Sequence, residues 1–258
     1  MNYKCEIDSR NVATVTLTRP ELHNAFNDEL ISDLIACFKK LESNRNLRLV
    51  VLTGEGKSFC AGADLNWMKR MKDYSFDDNL KDSQNLAELF TVINQFSRPV
   101  IGRINGSALG GGAGLVACCD YVLAVESATI AFTEVRLGLL PAVISPFVIA
   151  KIGESHARAS FLSGAKIPMS RAFVMGLVHQ VTTLDRLDQD LEAVISDFLL
   201  AGPSASVLCK DLIKNVVTEK DPKVKRDYTC ETISKVRAST EGQEGMSALL
   251  EKRKASWY

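Results

Sequence analysis

Histidine is nearly absent from this chain, with three in 258 residues. His23, His156 and His179 stand far apart and no pair has metal-ligand spacing, so the sequence offers no zinc site. Cysteine occurs seven times, at 5, 37, 60, 118, 119, 209 and 230, never as C-x-x-C. An odd count with no such pair argues against a disulfide framework and for reduced thiols in a cytoplasm. Neither charge dominates, since Lys+Arg and Asp+Glu are 31 each. Without a net field, nucleic acid and anionic membranes are not expected partners. No long apolar run exists either: residues 137–150 are the greasiest stretch, too short for a bilayer and interrupted by Pro141 and Pro146. The first six residues lack the apolar core of a secretion signal. A soluble, cytoplasmic protein is the expectation.

What is present is an ordinary globular composition, 46% hydrophobic and 24% charged, in a chain long enough for one large core with or without an appendage. Residues 3–18 alternate around Asp8-Ser9-Arg10-Asn11 and predict a hairpin. A helix amphipathic through Leu30, Ile31, Leu34, Ile35, Phe38 and Leu41 follows, with Asn27 or Asp28 available to cap it. Residues 49–53 read as a buried strand, 67–82 as a short helix plus mobile loop, and 84–96 as a helix. Strands are predicted at 100–104, 121–125, 129–132 and 178–181, and helices at 144–152, 155–163, 170–175 and 186–201. Gly202-Pro203-Ser204 marks a boundary between a core, 1–201, and a helical region, 202–258. The repeated strand, turn and helix order predicts an α/β fold of ββα units.

Two stretches carry the chemistry. Asn105-Gly106-Ser107-Ala108-Leu109-Gly110-Gly111-Gly112-Ala113-Gly114 leads from the strand at 100–104 into a helix with no polar face. Three consecutive glycines place backbone where no Cβ fits, and the first N–H groups of a helix have no partner within it and carry the positive end of its dipole. Ser58-Phe59-Cys60-Ala61-Gly62-Ala63-Asp64-Leu65 is a second small-residue turn, after the strand at 49–53. Two such turns can each aim one N–H at an oxygen that becomes negative in a transition state. Glu134, between Ile130-Ala131-Phe132-Thr133 and Val135-Arg136-Leu137, is a carboxylate among apolar neighbours. Desolvation would raise its pKa toward the range useful for proton transfer at neutral pH. The competing reading is a structural glutamate paired with Arg136 or Arg103.

Other motifs fail on spacing. Gly112-x-Gly114-x-x-Ala117 matches a loose dinucleotide fingerprint with Glu134 downstream, but residues 105–111 separate it from its strand. Gly56-Lys57-Ser58 would end a phosphate loop only with glycine at 51, where Val51 stands. Neither Ser107, flanked by Asn105 and Leu109, nor Ser58, with Cys60 after it, sits in a nucleophile elbow. Cys118-Cys119 reads as packing.

The paired turns, Ala61-Gly62-Ala63-Asp64-Leu65 and Asn105-Gly106-x-Ala108-Leu109-Gly110-Gly111-Gly112, closely resemble the enoyl-CoA hydratase/isomerase (crotonase) superfamily, and the resemblance runs from Arg19-Pro20 and Asn24-Ala25 to Glu251-Lys252-Arg253. It implies a crotonase-like spiral of ββα units with C-terminal helices that pack subunits into a homotrimer or a dimer of trimers. It further implies an acyl-CoA substrate, an oxyanion hole from the N–H groups of Ala63 and Gly111, Glu134 as catalytic acid/base, and no metal or separate cofactor. CoA contacts would come from Ala61, Ala63, Asp64, Leu65 and Asn66, with Asp64 free to cap the next helix while touching the ligand through its backbone, and with Lys252, of this or a neighbouring subunit, near the phosphates. The chain departs from the hydratase pattern at Gly114, where a first catalytic glutamate usually stands. One carboxylate leaves hydration, double-bond isomerisation and non-catalytic acyl-CoA binding open. Residues 62–68, 112–120, 134–139 and 141–146 resemble the methylglutaconyl-CoA hydratase branch, which handles carboxylated branched acyl groups in leucine or related isoprenoid catabolism. Lys69, Arg70 or Arg103 could meet a second substrate carboxylate.

Overall fold

The structure, a computed structural model, describes residues 2–258. Two compact units arise from its contacts: residues 1–96 with 100–191, and residues 97–99 with 192–258. The division falls inside a helix, ahead of Gly202-Pro203.

The first unit opens with β1 (Tyr3–Ile7) and β2 (Val12–Leu17), the predicted antiparallel hairpin. Helix α1 (Asp28–Glu42) follows, its N-terminus capped by the Asn27 side chain accepting from Leu30 N–H. Acidic residues in its first turn and lysines in its last complement the dipole, and its apolar stripe is buried, as its spacing predicts. The remaining strands come in pairs: β3 (Leu49–Gly54) and β4 (Ser58–Cys60) before α2 (Leu65–Met71) and α3 (Phe76–Asn94); β5 (Val100–Ile104) and β6 (Ser107–Leu109) before α4 (Gly111–Cys118); β7 (Tyr121–Val125) and β8 (Thr129–Ala131) before α5 (Ser145–Ser163). Then come β9 (Ile167–Pro168), α6 (Met169–Val174), β10 (Gln180–Thr182) and α7 (Leu187–Leu199), the last shared by both units.

Each pair splits between two sheets. First strands enter a six-stranded sheet, order β1-β2-β3-β5-β7-β10, parallel apart from the β1 hairpin. Second strands enter a four-stranded sheet, order β4-β6-β8-β9, whose first three strands are parallel. Strand β3 is buried along its whole length, as expected for a parallel strand covered on both faces.

Two expectations change. The small-residue turns do not follow β3 and β5 directly, because the three-residue strands β4 and β6 intervene and form the second sheet. The predicted loop within 67–82 is mostly helix: α3 starts at Phe76, fixed by a capping box in which Ser75 and Asp78 satisfy each other's backbone N–H. The two helices expected at 144–152 and 155–163 are present as the two arms of α5, separated by non-helical backbone at Gly153 (φ 68°, ψ 168°).

The second unit contains α8 (Pro203–Thr218), α9 (Pro222–Ala238) and α10 (Thr240–Leu250). Glu241 of α10 accepts from the N–H groups of Ser204 and Ala205 at 2.8 and 2.7 Å, so a carboxylate fills the orphan donors at the start of α8.

Candidate active site

Strand β6 lies between β4 and β8, with Cys60 opposite Ala108, and Ala108 and Leu109 opposite Ile130 and Ala131. All three run parallel, so their C-terminal ends open on one edge. Ala63, Gly111 and Glu134 each lie two or three residues beyond those ends. The fold therefore gathers the three predicted catalytic positions from 72 residues of chain, 63–134, without any of them touching in sequence.

The first turn is held tightly. Phe26 N–H donates to Gly62 O at 2.6 Å and Asp64 N–H to Phe26 O at 2.7 Å, a single parallel bridge centred on Phe26 and Ala63. In that register Ala63 N–H points away from Phe26, and it meets no backbone carbonyl among the described residues. Gly62 has φ +91°, and a Cβ there would lie 2.9 Å from Leu109 O. Only glycine lets the two turns approach so closely.

The second turn pivots on Gly110 (φ +51°), whose own N–H donates to Ala131 O at 2.8 Å. Its carbonyl accepts from Ala113 and Gly114, so the Gly111 and Gly112 N–H groups precede the first helical bond of α4. The α4 residues from Gly112 to Cys118 are all buried, as an all-apolar helix predicts.

Glu134 is the second residue of the 3-10 turn Thr133–Leu137, which closes when Leu139 N–H reaches the Glu134 carbonyl. A Cβ placed on Gly110 would be 3.4 Å from Glu134 Oε1, so the carboxylate lies against the glycine turn. Oε2 is buried and has no hydrogen-bond partner among the described residues. Burial pushes the Glu134 pKa above the usual glutamate value, opposed only by its own backbone N–H. The paired-glutamate reading does not hold: Arg136 donates to Ser163 O, and Arg103 is bonded to Asp188 Oδ1 at 2.8 and 2.6 Å.

The other predicted residues separate by environment. Ala61 is half-buried with its N–H on His23 O, whereas Leu65 and Asn66 are exposed at the start of α2. The Asp64 carboxylate is engaged, capping α2 through Asn66 N–H and pairing with Arg19 at 2.7 Å, with both side chains largely buried (11% and 7% exposed for Arg19 and Asp64), so a ligand contact here would run through its backbone. Arg70 is paired with Asp28 at 2.6 Å. Of the three cations offered for a second substrate carboxylate, Arg70 and Arg103 are thus already engaged. Lys252 follows α10 in the second unit, exposed and with φ 55°.

Sequence reasoning missed what fills the space beside Gly114. A Cβ there would stand 2.3 Å from Ile144 Cγ2 and 2.9 Å from Phe90 Cε1. Phe90 also packs edge-on against Phe26, whose ring lies 2.8 Å from where a Gly111 Cβ would be. An apolar wall of Phe26, Phe90 and Ile144 therefore backs the start of α4 and excludes a side chain at 114. The signal was long-range and invisible in local pattern.

The geometry has counterparts. The family model for enoyl-CoA hydratase/isomerase matches residues 8–258. YngF of Bacillus subtilis is 32% identical over 251 residues, covering 96% of this chain and 95% of its own. Enoyl-CoA hydratase AKT6-1 of Alternaria alternata is 36% identical over 205 residues, 78% of this chain and 65% of that longer protein, so the chain spans just under two thirds of it. A crystal structure of an enoyl-CoA hydratase from Shewanella pealeana superposes with a TM-score of 0.95 at 34% identity, covering 100% of this chain and 96% of that one. A mixed α/β fold shared from end to end and a family match over nearly all of the sequence lead to one conclusion: the chain belongs to the enoyl-CoA hydratase/isomerase family, the crotonase superfamily.

Proposed function

We propose that the chain adds water to, or removes it from, an α,β-unsaturated acyl-CoA thioester, with Glu134 as its single acid/base. The observation that carries this reading is the gathering on one sheet edge of two N–H groups without a backbone acceptor and one desolvated carboxylate whose Oε2 has no partner. The thioester oxygen accepts from Ala63 and Gly111 N–H. Glu134 takes a proton from water as its oxygen bonds to the β-carbon, and the displaced electron pair runs through the α-carbon to the thioester oxygen. That charge meets fixed donors rather than solvent that must reorganise. The same proton then passes from Glu134 to the α-carbon, completing the addition with every atom accounted for.

CoA lies along Ala61, Ala63, Asp64, Leu65 and Asn66, with Asp64 contributing its backbone and Lys252, of this or a neighbouring subunit, meeting the phosphates. No metal and no separate cofactor takes part. The resemblance to the methylglutaconyl-CoA branch favours a carboxylated, branched acyl group, with Lys69 as the cation to meet it. The Gly114 wall specifically favours a second reading, isomerisation between 3-enoyl and 2-enoyl thioesters, in which Glu134 moves one proton between two carbons. The C-terminal helices carry exposed Ile213, Val217, Leu249 and Leu250, an apolar surface suited to packing subunits as a homotrimer or a dimer of trimers.

Absorbance of the conjugated thioester, followed with crotonyl-CoA, 3-methylglutaconyl-CoA and a 3-enoyl-CoA, tests the reading. Loss of conjugation with either of the first two identifies hydration, and gain of conjugation with the third identifies isomerisation. Silence on all three would leave acyl-CoA binding without catalysis.

A further inference from the structure

The connection between β2 and α1 runs alongside the first oxyanion turn and is bonded to it at several points. His23 O accepts from Ala61 N–H at 3.0 Å, and Phe26 bonds to Gly62 and Asp64 on either side of Ala63. His23 and Asn24 both lie in the left-handed backbone region, with φ 53° and 56°. Residues other than glycine stay there only where their surroundings hold them. Asn24 supplies that hold: fully buried, it accepts from Arg19 N–H through Oδ1 and donates through Nδ2 to Glu55 O and Ser58 O, each at 2.9 Å.

Arg19 closes the arrangement. One guanidinium nitrogen donates to Ala25 O and the other to Asp64 Oδ2. Ala25 precedes Phe26 and Asp64 follows Ala63, so a single planar fork spans the bridge that joins Phe26 to Ala63. That bridge decides where the oxyanion donor points. A planar trans peptide carries its N–H opposite its C=O. Gly62 C=O and Ala63 N–H belong to one peptide, so the 2.6 Å bond from Phe26 N–H to Gly62 O fixes the direction of Ala63 N–H. The same bond polarises the peptide and strengthens its N–H as a donor.

We propose that Arg19 is a positioning residue for the reaction: by gripping Ala25 O and Asp64 together it locks Phe26 against Gly62 and keeps Ala63 N–H aimed at the thioester oxygen. The role rests on the oxyanion-hole reading of the site and involves no contact between Arg19 and substrate. It calls for arginine and not for a cation in general. A lysine ammonium would keep a charge beside Asp64, but as a point donor on a flexible stem it lacks the rigid pair of donors that reaches both acceptors at once.

Amide hydrogen exchange of the full-length protein tests the placement without substrate. In wild type, where no variant has to fold, the Phe26 and Asp64 N–H groups should exchange at least about 10³-fold slower than in free chain, and exchange at the free-chain rate would overturn the proposal. In Arg19→Lys the same two amides should exchange about tenfold faster than in wild type, while those of β3 and the middle of α1 keep their rates. No change at Phe26 and Asp64 would make Arg19 a mere counter-ion, and equal acceleration everywhere would make it a general contributor to stability; either overturns its positioning role. On the thioester that wild type turns over, kcat of folded Arg19→Lys should fall about 10- to 100-fold with KM within about threefold, because an aimed donor matters more in the transition state than in the bound ground state. Unchanged kcat beside faster exchange at the bridge would also overturn the proposal. Silence of wild type on the whole panel would instead reject the catalytic reading of the site, and the exchange rates would still decide whether Arg19 holds the turn.

Discussion

Asp64 and Glu134 are carboxylates drawn into the protein at the end of the same four-stranded sheet, one after β4 and the other after β8, and the chain has treated them in opposite ways. Burial alone would raise both. At Asp64 it is outweighed by the Arg19 guanidinium and by the Asn66 and Trp67 N–H groups, so its pKa falls below the usual aspartate value. At Glu134 nothing but its own N–H opposes burial, and the pKa rises. A carboxylate with all its acceptors filled holds structure together. One left with a buried, unpartnered oxygen holds a proton-transfer capacity that the fold does not otherwise use.

The sharpest way to break that contrast is Glu134→Gln, which keeps the shape and removes the acid/base. Turnover on the substrate found in the thioester panel should fall about 10²–10⁴-fold, the usual range for losing a positioned proton-transfer group. Thermal stability at neutral pH should rise or hold, because a desolvated charge has gone. Retained turnover would reject Glu134 as the acid/base. Asp64→Ala should do the reverse on stability, costing about 3–5 kcal/mol because Arg19 is left buried and unpaired. Urea unfolding would measure it, and a cost under about 1 kcal/mol, the value of an exposed pair, would mean that Arg19 finds another acceptor. Gly114→Ala extends the comparison to the apolar wall. Its Cβ meets Ile144 and Phe90 side chains, and overpacking of this kind costs about 1–3 kcal/mol. A smaller residue at 144 should recover part of it, which the double variant Gly114→Ala, Ile144→Val would show in the same unfolding assay.

The sequence announced Glu134 and the two turns because each is a local anomaly: a carboxylate in an apolar run, and glycines where helix formers would be expected. The hairpin and α1 were equally legible, from alternation and from a helical stripe with a capping asparagine. Strands β4 and β6 were not, since each is three residues long and runs directly into the small-residue turn that follows it, so strand and turn read as one stretch. Helix α3 was obscured because Asp77, Asp78, Lys81 and Asp82 begin it as a polar run and its buried residues, Leu89, Phe90 and Ile93, lie at its far end. Ser75-x-x-Asp78 was the available signal. The Arg19–Asp64 pair, and the wall that Phe90 and Ile144 build at Gly114, join residues distant in sequence, and only the fold brings them together.

The smallest effect, and the one that tests the electrostatic contrast most directly, is the pH dependence of stability. Asp64 has a folded pKa below its unfolded value of about 3.8, so its contribution is complete above that pH and is lost as pH falls through the folded pKa. Glu134 has a folded pKa above its unfolded value of about 4.5, so its contribution is complete below that pH and is lost as pH rises through the folded pKa. Unfolding free energies of wild type, Asp64→Ala and Glu134→Gln, measured from pH 3 to pH 8 in steps of about half a unit, should therefore diverge in different windows, each with a slope no steeper than about 1.4 kcal/mol per pH unit. Wild type should lose its advantage over Asp64→Ala on the acid side of pH 3.8. Against Glu134→Gln it should lose ground as pH climbs from 4.5 toward neutrality. A flat difference in that second window would show that Glu134 is as well solvated in the folded protein as in the unfolded chain, and the contrast between the two carboxylates would collapse into one of partners alone.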